Sequence, residues 1–171
     1  MSYFWNDNII SNPFTEAAGC KYFIDKSRLI SKVNEKIKTP YKYICITRPR
    51  RFGKTVNAMM LASYYSKNAG FKELFDKLEV SRDESYLEHL NKHNVVYMTF
   101  SEMPKPNCTY EEFIKRYEKL LLGYLQSIYE KLEMIPDLSL ADMFTFVFNK
   151  TREGFIFIFD EWDYIFNNKL F

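Results

Sequence analysis

The chain lacks a strong charge of either sign. Its net charge of +2 predicts neither a nucleic-acid nor a membrane partner by itself. Cysteine is scarce. Cys20, Cys45 and Cys108 are far apart, odd in number and without CxxC spacing. That argues against a disulfide framework or a zinc site and fits a reducing cytosol. Long apolar runs are missing too: the longest, Phe155 to Phe159, is strand-sized, far short of the ~20 residues a membrane helix needs. No basic segment followed by an apolar run opens the chain, so no signal peptide is visible. There is no repeat and no low-complexity linker. What the chain does have is apolar mass: 47% hydrophobic residues, with 13 Tyr and 16 Phe, enough for a real core and against disorder.

Length predicts one domain, and alternating helix and strand patterns predict an α/β architecture. Residues up to about Phe23 read as irregular. Asp25 or Ser27 can cap a helix over 28–38, whose apolar face is Leu29, Ile30, Val33 and Ile37. Residues 1–40 thus form an N-terminal segment and helix, and 41–171 a core. Tyr43 to Thr47 reads as a first strand, followed by a helix over about 54–67 that Gly70 terminates. Shorter helical patterns cover 71–78 and 83–93, and 95–100 reads as a second strand. Thr109 and Glu112 make a capping-box pattern opening a long amphipathic helix to about 133. Another helix runs from Ser139 to about Lys150, and Gly154 breaks it. The third strand, Phe155 to Phe159, has no polar alternation and is expected to be buried on both faces, as in a parallel sheet.

Between the first strand and its helix lies Arg48-Pro49-Arg50-Arg51-Phe52-Gly53-Lys54-Thr55. A strand–loop–helix order is what a phosphate-binding P-loop of pattern GxxxxGK[ST] requires. Arg48 stands where the first glycine would be. Gly53 lets the backbone approach phosphate oxygens. Amides of Arg50, Arg51, Phe52, Gly53, Lys54 and Thr55 would form an anion nest at a helix N-terminus. Lys54 would bridge the β- and γ-phosphates, and the Thr55 hydroxyl would serve Mg²⁺. The alternative is an ordinary basic surface turn.

The third strand ends in Asp160-Glu161, placing carboxylates at its C-terminal edge, where ligands sit in open α/β sheets. Asp160 would hold Mg²⁺ through water, and Glu161 would orient and activate the attacking water as the catalytic residue. The plain alternative is an acidic turn. His89 and His93, spaced i, i+4, have no Glu or Cys to complete a metal site and are expected at the surface. Met59, Met60 and Leu61 are expected in the core. Most aromatics should be core as well, with Tyr3, Phe4, Trp5, Trp162, Tyr164, Phe166 and Phe171 as candidates for a sticky interface.

The segments Ile24-Asp25-Lys26-Ser27, Ile46 to Thr55 and Phe159-Asp160-Glu161-Trp162-Asp163 together resemble the predicted AAA-ATPase-like family of prokaryotic P-loop NTPases. In that family the RPRRFGKT string is itself the usual loop, so Arg48 is the family's version. The resemblance implies a three-layer P-loop sandwich with a short, mainly parallel sheet of the additional-strand type, strand order 5-1-4-3-2. It implies ATP and Mg²⁺ as cofactors, Lys54 and Thr55 as their contacts, and Asp160 and Glu161 as Walker B residues. Asp25 and Lys26 carry over only as a motif, with a structural cap as the expectation for Asp25.

The chain supplies strands 1, 2 and 3 of that order and reads as truncated after Walker B. No sensor, lid or arginine finger can be named, so hydrolysis is left open. Strands 1 and 3 either pair directly, or a second copy or protein partner fills the gap, or sheet edges stay open and invite association. Two other readings stand beside ATP binding. One is a non-enzymatic protein-interaction module, an inhibitor or regulator on a reduced P-loop fold, phage- or mobile-element-borne. The other is a basic nucleic-acid binder using Arg48, Arg50 and Arg51.

Overall fold

The computed structural model describes residues 3–5, 13–49, 51–67, 69–100, 109–129 and 139–167. They divide into two units. The first comprises Tyr3–Met98 and Phe155–Asp160; the second comprises Thr99–Gly154 and Glu161–Phe171.

In the first unit, β1 (Tyr3–Trp5) runs antiparallel to β2 (Asn94–Thr99), with Phe4 opposite Tyr97. On the other side of β2 lies β3 (Phe155–Asp160), and that pair is parallel. The helices are α1 (Pro13–Ala18), α2 (Arg28–Asn34), α3 (Lys54–Tyr65), α4 (Lys72–Phe75) and α5 (Tyr86–His89). A 3-10 turn, Glu79–Arg82, precedes α5. The centre of the unit is α3, which packs on α1 and β3. Its second half, Met60 to Tyr65, is buried all round, which is why it shows no polar face. Phe14 of α1 stacks on Phe75 of α4 at 5.3 Å, and Tyr64 meets Phe75 edge-on at 5.4 Å. Each such fully buried side chain contributes about 1.5–3 kcal/mol of hydrophobic stabilisation.

In the second unit, α6 (Tyr110–Ile128) opens on the full Thr109/Glu112 capping box. Phe113, Tyr117, Leu121 and Leu125, each four residues apart, form its buried face. It packs on α7 (Leu140–Thr151), which buries Met143 and Val147 and is capped by the Ser139 hydroxyl accepting from the Asp142 amide. A last short helix is α8 (Tyr164–Asn167).

The α/β class, Met60 and Leu61 in the core and the Thr109/Glu112 capping box agree with the sequence reading. Several expectations are corrected. Residues near the start are not irregular: they form β1 and α1. The helix from residue 28 ends at Asn34, and Lys38 takes a left-handed φ of 60° just beyond. The 83–93 pattern yields only α5. Arg152, left-handed at φ 60°, ends α7 two residues before Gly154. The largest correction is the first strand. Residues 42–49 have no regular structure, and Tyr43 is 87% exposed. A strand needs a hydrogen-bonded neighbour; β1 and β3 occupy both sides of β2, and no described strand pairs with 43–47. Among the described residues, therefore, strands 1 and 3 do not pair. Nor is β3 buried on both faces. Ile156 and Ile158 pack against the core, while Phe157 and Phe159 on the opposite face are exposed.

His89 and His93 are not surface residues. His89 is buried and His93 half-buried, stacked at 5.2 Å between ring centres, with His89 Nδ1 3.0 Å from His93 Nε2. Of the aromatics proposed for an interface, Trp162 and Phe166 are exposed. No described helix is long and apolar enough to cross a membrane.

Candidate functional site

The loop before α3 is built by two left-handed residues on either side of Phe52. Arg51 has φ 68°, a conformation that costs a non-glycine residue roughly 1–2 kcal/mol. Gly53, at φ 76° and ψ 33°, is the N-cap of α3. A Cβ at Gly53 would meet nothing closer than 3.7 Å, so the backbone conformation, not lack of room, calls for glycine here. The first helical bond runs from the Asn57 amide to the Gly53 carbonyl at 2.9 Å. No side chain caps the helix start. Among the described residues, nothing accepts from the amides of Gly53, Lys54, Thr55 and Val56. Four N–H groups therefore converge at the positive end of a 12-residue helix. Lys54 and Thr55 are half-buried at its first two positions, and no described hydrogen bond or ion pair engages the Lys54 ammonium. Arg48 and the 58%-exposed Phe52 sit at the surface; Arg50 lies outside the described residues.

Asp160 ends β3 and is buried, its Oδ2 accepting a hydrogen bond from the Tyr97 hydroxyl at 3.1 Å. Tyr97, itself buried on β2, thus fixes the carboxylate's orientation. Glu161 is left-handed at φ 51°, and its carbonyl accepts from the Tyr164 amide at 2.9 Å as α8 begins. Asp160 belongs to the first unit and Glu161 to the second.

The motif Asp25-Lys26-Ser27 has a defined task that the sequence did not disclose. Asp25 accepts from the amides of Ser27 and Glu79, each at 2.7 Å. The Ser27 hydroxyl accepts from the Val80 amide at 3.0 Å. Asp25 and Ser27 thus cap the 3-10 turn across the chain instead of capping α2. Lys26, between them, donates to the Phe52 carbonyl at 3.1 Å. A tripeptide about 25 residues upstream therefore holds the loop that Gly53 closes. Its signal in the sequence was a charged pair beside a serine ahead of a helix, which local capping explains equally well. Tyr97 gave no signal, being one tyrosine in an apolar strand.

Among the clefts of the first unit are these two. One of about 450 Å³ is walled by Asn34, Asp83, Glu84, Glu88 and His89, near the C-terminal end of α3; its carboxylates would repel a phosphate ester. The other, about 270 Å³, opens at Gly53. The described residues contain no cluster of three His, Cys, Asp or Glu that would hold a metal unaided. Mg²⁺ at a phosphate loop draws on one hydroxyl, one carboxylate and the ligand's own phosphates, so such a cluster is not what it needs.

No curated protein and no solved structure matches the chain. The model of one family, described as a predicted AAA-ATPase, matches residues 14–171. That span includes the whole loop, the Asp25-Lys26-Ser27 brace and the Asp160-Glu161 pair, and on it the chain belongs to the predicted AAA-ATPase family.

Proposed function

We propose that this chain binds ATP with Mg²⁺ at the Arg51–Thr55 loop, on a three-layer P-loop arrangement. The observation that carries the reading is the set of four amides at the start of α3 that no described residue accepts from, beside a lysine with no described partner. Such a cradle suits a polyphosphate. Lys54 takes a charge-assisted contact to the β- and γ-phosphates. The Thr55 hydroxyl and the Asp160 carboxylate suit Mg²⁺, one directly and one through water; Tyr97 keeps Asp160 oriented. The metal, when bound, neutralises phosphate charge. Glu161 is the residue assigned to orient an attacking water. A cytosolic setting fits the sparse, dispersed cysteines.

Calorimetric titration tests this. ATP with Mg²⁺ is expected to bind saturably, and Lys54→Ala to weaken binding at least about 100-fold, roughly 2.7 kcal/mol. Salt-sensitive DNA or RNA binding with no ATP effect would favour the basic nucleic-acid reading instead. A second reading, a protein-interaction module, is favoured by the exposed Tyr43, Ile44, Phe157 and Phe159. These mark where a second copy or a partner would add, and concentration-dependent mass in light scattering is its test.

A further inference from the structure

The two peptide units flanking Gly53 are held in different ways. The unit from Gly53 to Lys54 belongs to α3, its carbonyl accepting from the Asn57 amide at 2.9 Å. The unit from Phe52 to Gly53 lies outside the helix. Rotating that unit changes ψ of Phe52 and φ of Gly53, and glycine accepts either sign of φ. Local structure therefore leaves its plane free to turn. Among the described residues one group holds it: the Lys26 ammonium, which donates to the Phe52 carbonyl at 3.1 Å. The same ammonium lies 3.7 Å from where a Cβ on Gly53 would stand. No described peptide is cis, and a trans peptide points its N–H opposite to its C=O. With the Phe52 carbonyl turned to Lys26, the Gly53 N–H points away from it.

Lys26 is exposed, yet its own backbone is tied down on both sides. Asp25 accepts from the Glu79 amide at 2.7 Å, and the hydroxyl of the buried Ser27 accepts from the Val80 amide at 3.0 Å. The ammonium therefore reaches the loop from a fixed base.

We propose that Lys26 is a positioning residue of the phosphate loop: by holding the Phe52 carbonyl it aims the Gly53 N–H into the anion cradle. The inference rests on the phosphate-loop reading above and adds what sets the direction of its first donor. Without Lys26 the peptide plane turns, and the cradle loses one N–H.

The test uses two variants. Lys26 lines the cleft beside Gly53, so Lys26→Met keeps an apolar stem there and removes the donor. Lys26→Arg keeps a cationic donor. In the ligand-free chain, weakly aligned for NMR, Lys26→Met should change the N–H dipolar coupling of Gly53 and leave those of Thr55 and Val56 as they were. By calorimetry it should weaken ATP and inorganic triphosphate alike, by about 10-fold, the worth of one charge-assisted hydrogen bond. Lys26→Arg should return affinity to within about 3-fold of the unaltered chain. The denaturation midpoint should not move, as Lys26 is a surface residue. Unchanged affinity in Lys26→Met would overturn the inference while leaving the phosphate loop standing. So would weaker binding with the Gly53 coupling unmoved, which would make Lys26 a direct ligand contact. If the unaltered chain binds neither ATP nor triphosphate, the phosphate reading fails and this inference with it.

Discussion

The two ends of α3 are finished in opposite ways. At its C-terminal end every orphan carbonyl has a partner. The Ser66 amide takes Ala62, the Asn91 side chain takes Ser63, the Asn91 amide takes Tyr64 at 2.7 Å and the His93 amide takes Tyr65 at 2.9 Å. Around them Asn34 accepts from the Tyr65 hydroxyl at 2.6 Å and donates to Ser85 at 2.8 Å, inside a fully buried aromatic cluster. At the N-terminal end no side-chain cap exists and four amides stay unmet among the described residues. One helix thus has an anchored end and an end left for a ligand. The lesson is that a site made of unsatisfied groups needs rigidity supplied elsewhere, because the groups themselves hold nothing in place.

Substitutions at each end can break this contrast. The largest effect on stability is expected from Asn91→Ala. It strips the side-chain donor from carbonyls of Ser63, Tyr64 and Ser66 and puts alanine at a φ of 55°. Chemical denaturation should show a loss of about 2 kcal/mol, with ATP affinity changed little. Gly53→Ala should do the reverse. It costs about 1 kcal/mol of stability from the left-handed backbone, and it shifts the amides enough to weaken ATP binding about tenfold by calorimetry. If both variants lose stability and affinity in proportion, the division between anchor and site is wrong.

The smallest effect comes from pH. Burial, reinforced by His89, Lys38, Lys67 and Lys92, pushes His93 down to about 4, and burial lowers His89 as well. The folded state keeps the pair neutral, with one ring N–H donating to the other ring. The unfolded chain takes up protons below about 6.5, the ordinary histidine value. Stability from this pair is therefore complete above that pH, is lost as pH falls towards about 4, and levels off below. A thermal-melt series should show this slope, and His93→Phe should flatten it. An unchanged slope would remove the histidines from the anchored end.

Much of this was legible in the sequence, and for local reasons. The helix from Lys54, its glycine start, the Thr109/Glu112 box and the helix start at Ser139 are each written within four residues, so neighbouring residue types suffice. The first strand was misread because Tyr43 to Thr47 has strand composition but no pairing partner, and pairing is non-local. The Lys26 brace on Phe52 and the Tyr97 hold on Asp160 join residues 26 and 63 positions apart. Nothing in either local pattern encodes them. His89 and His93 looked superficial because two polar residues on a short helix usually are; here a parallel bridge from Ser66 to His93 draws the segment inward.

The central claim is that the amides opening α3 bind phosphate. Amide-resolved NMR during titration with ATP and Mg²⁺ tests it most directly. Saturable shifts are predicted at Gly53, Lys54, Thr55 and Val56, with Asn91 and His93 at the anchored end unmoved. ATP binding that saturates while those four amides stay still would contradict it.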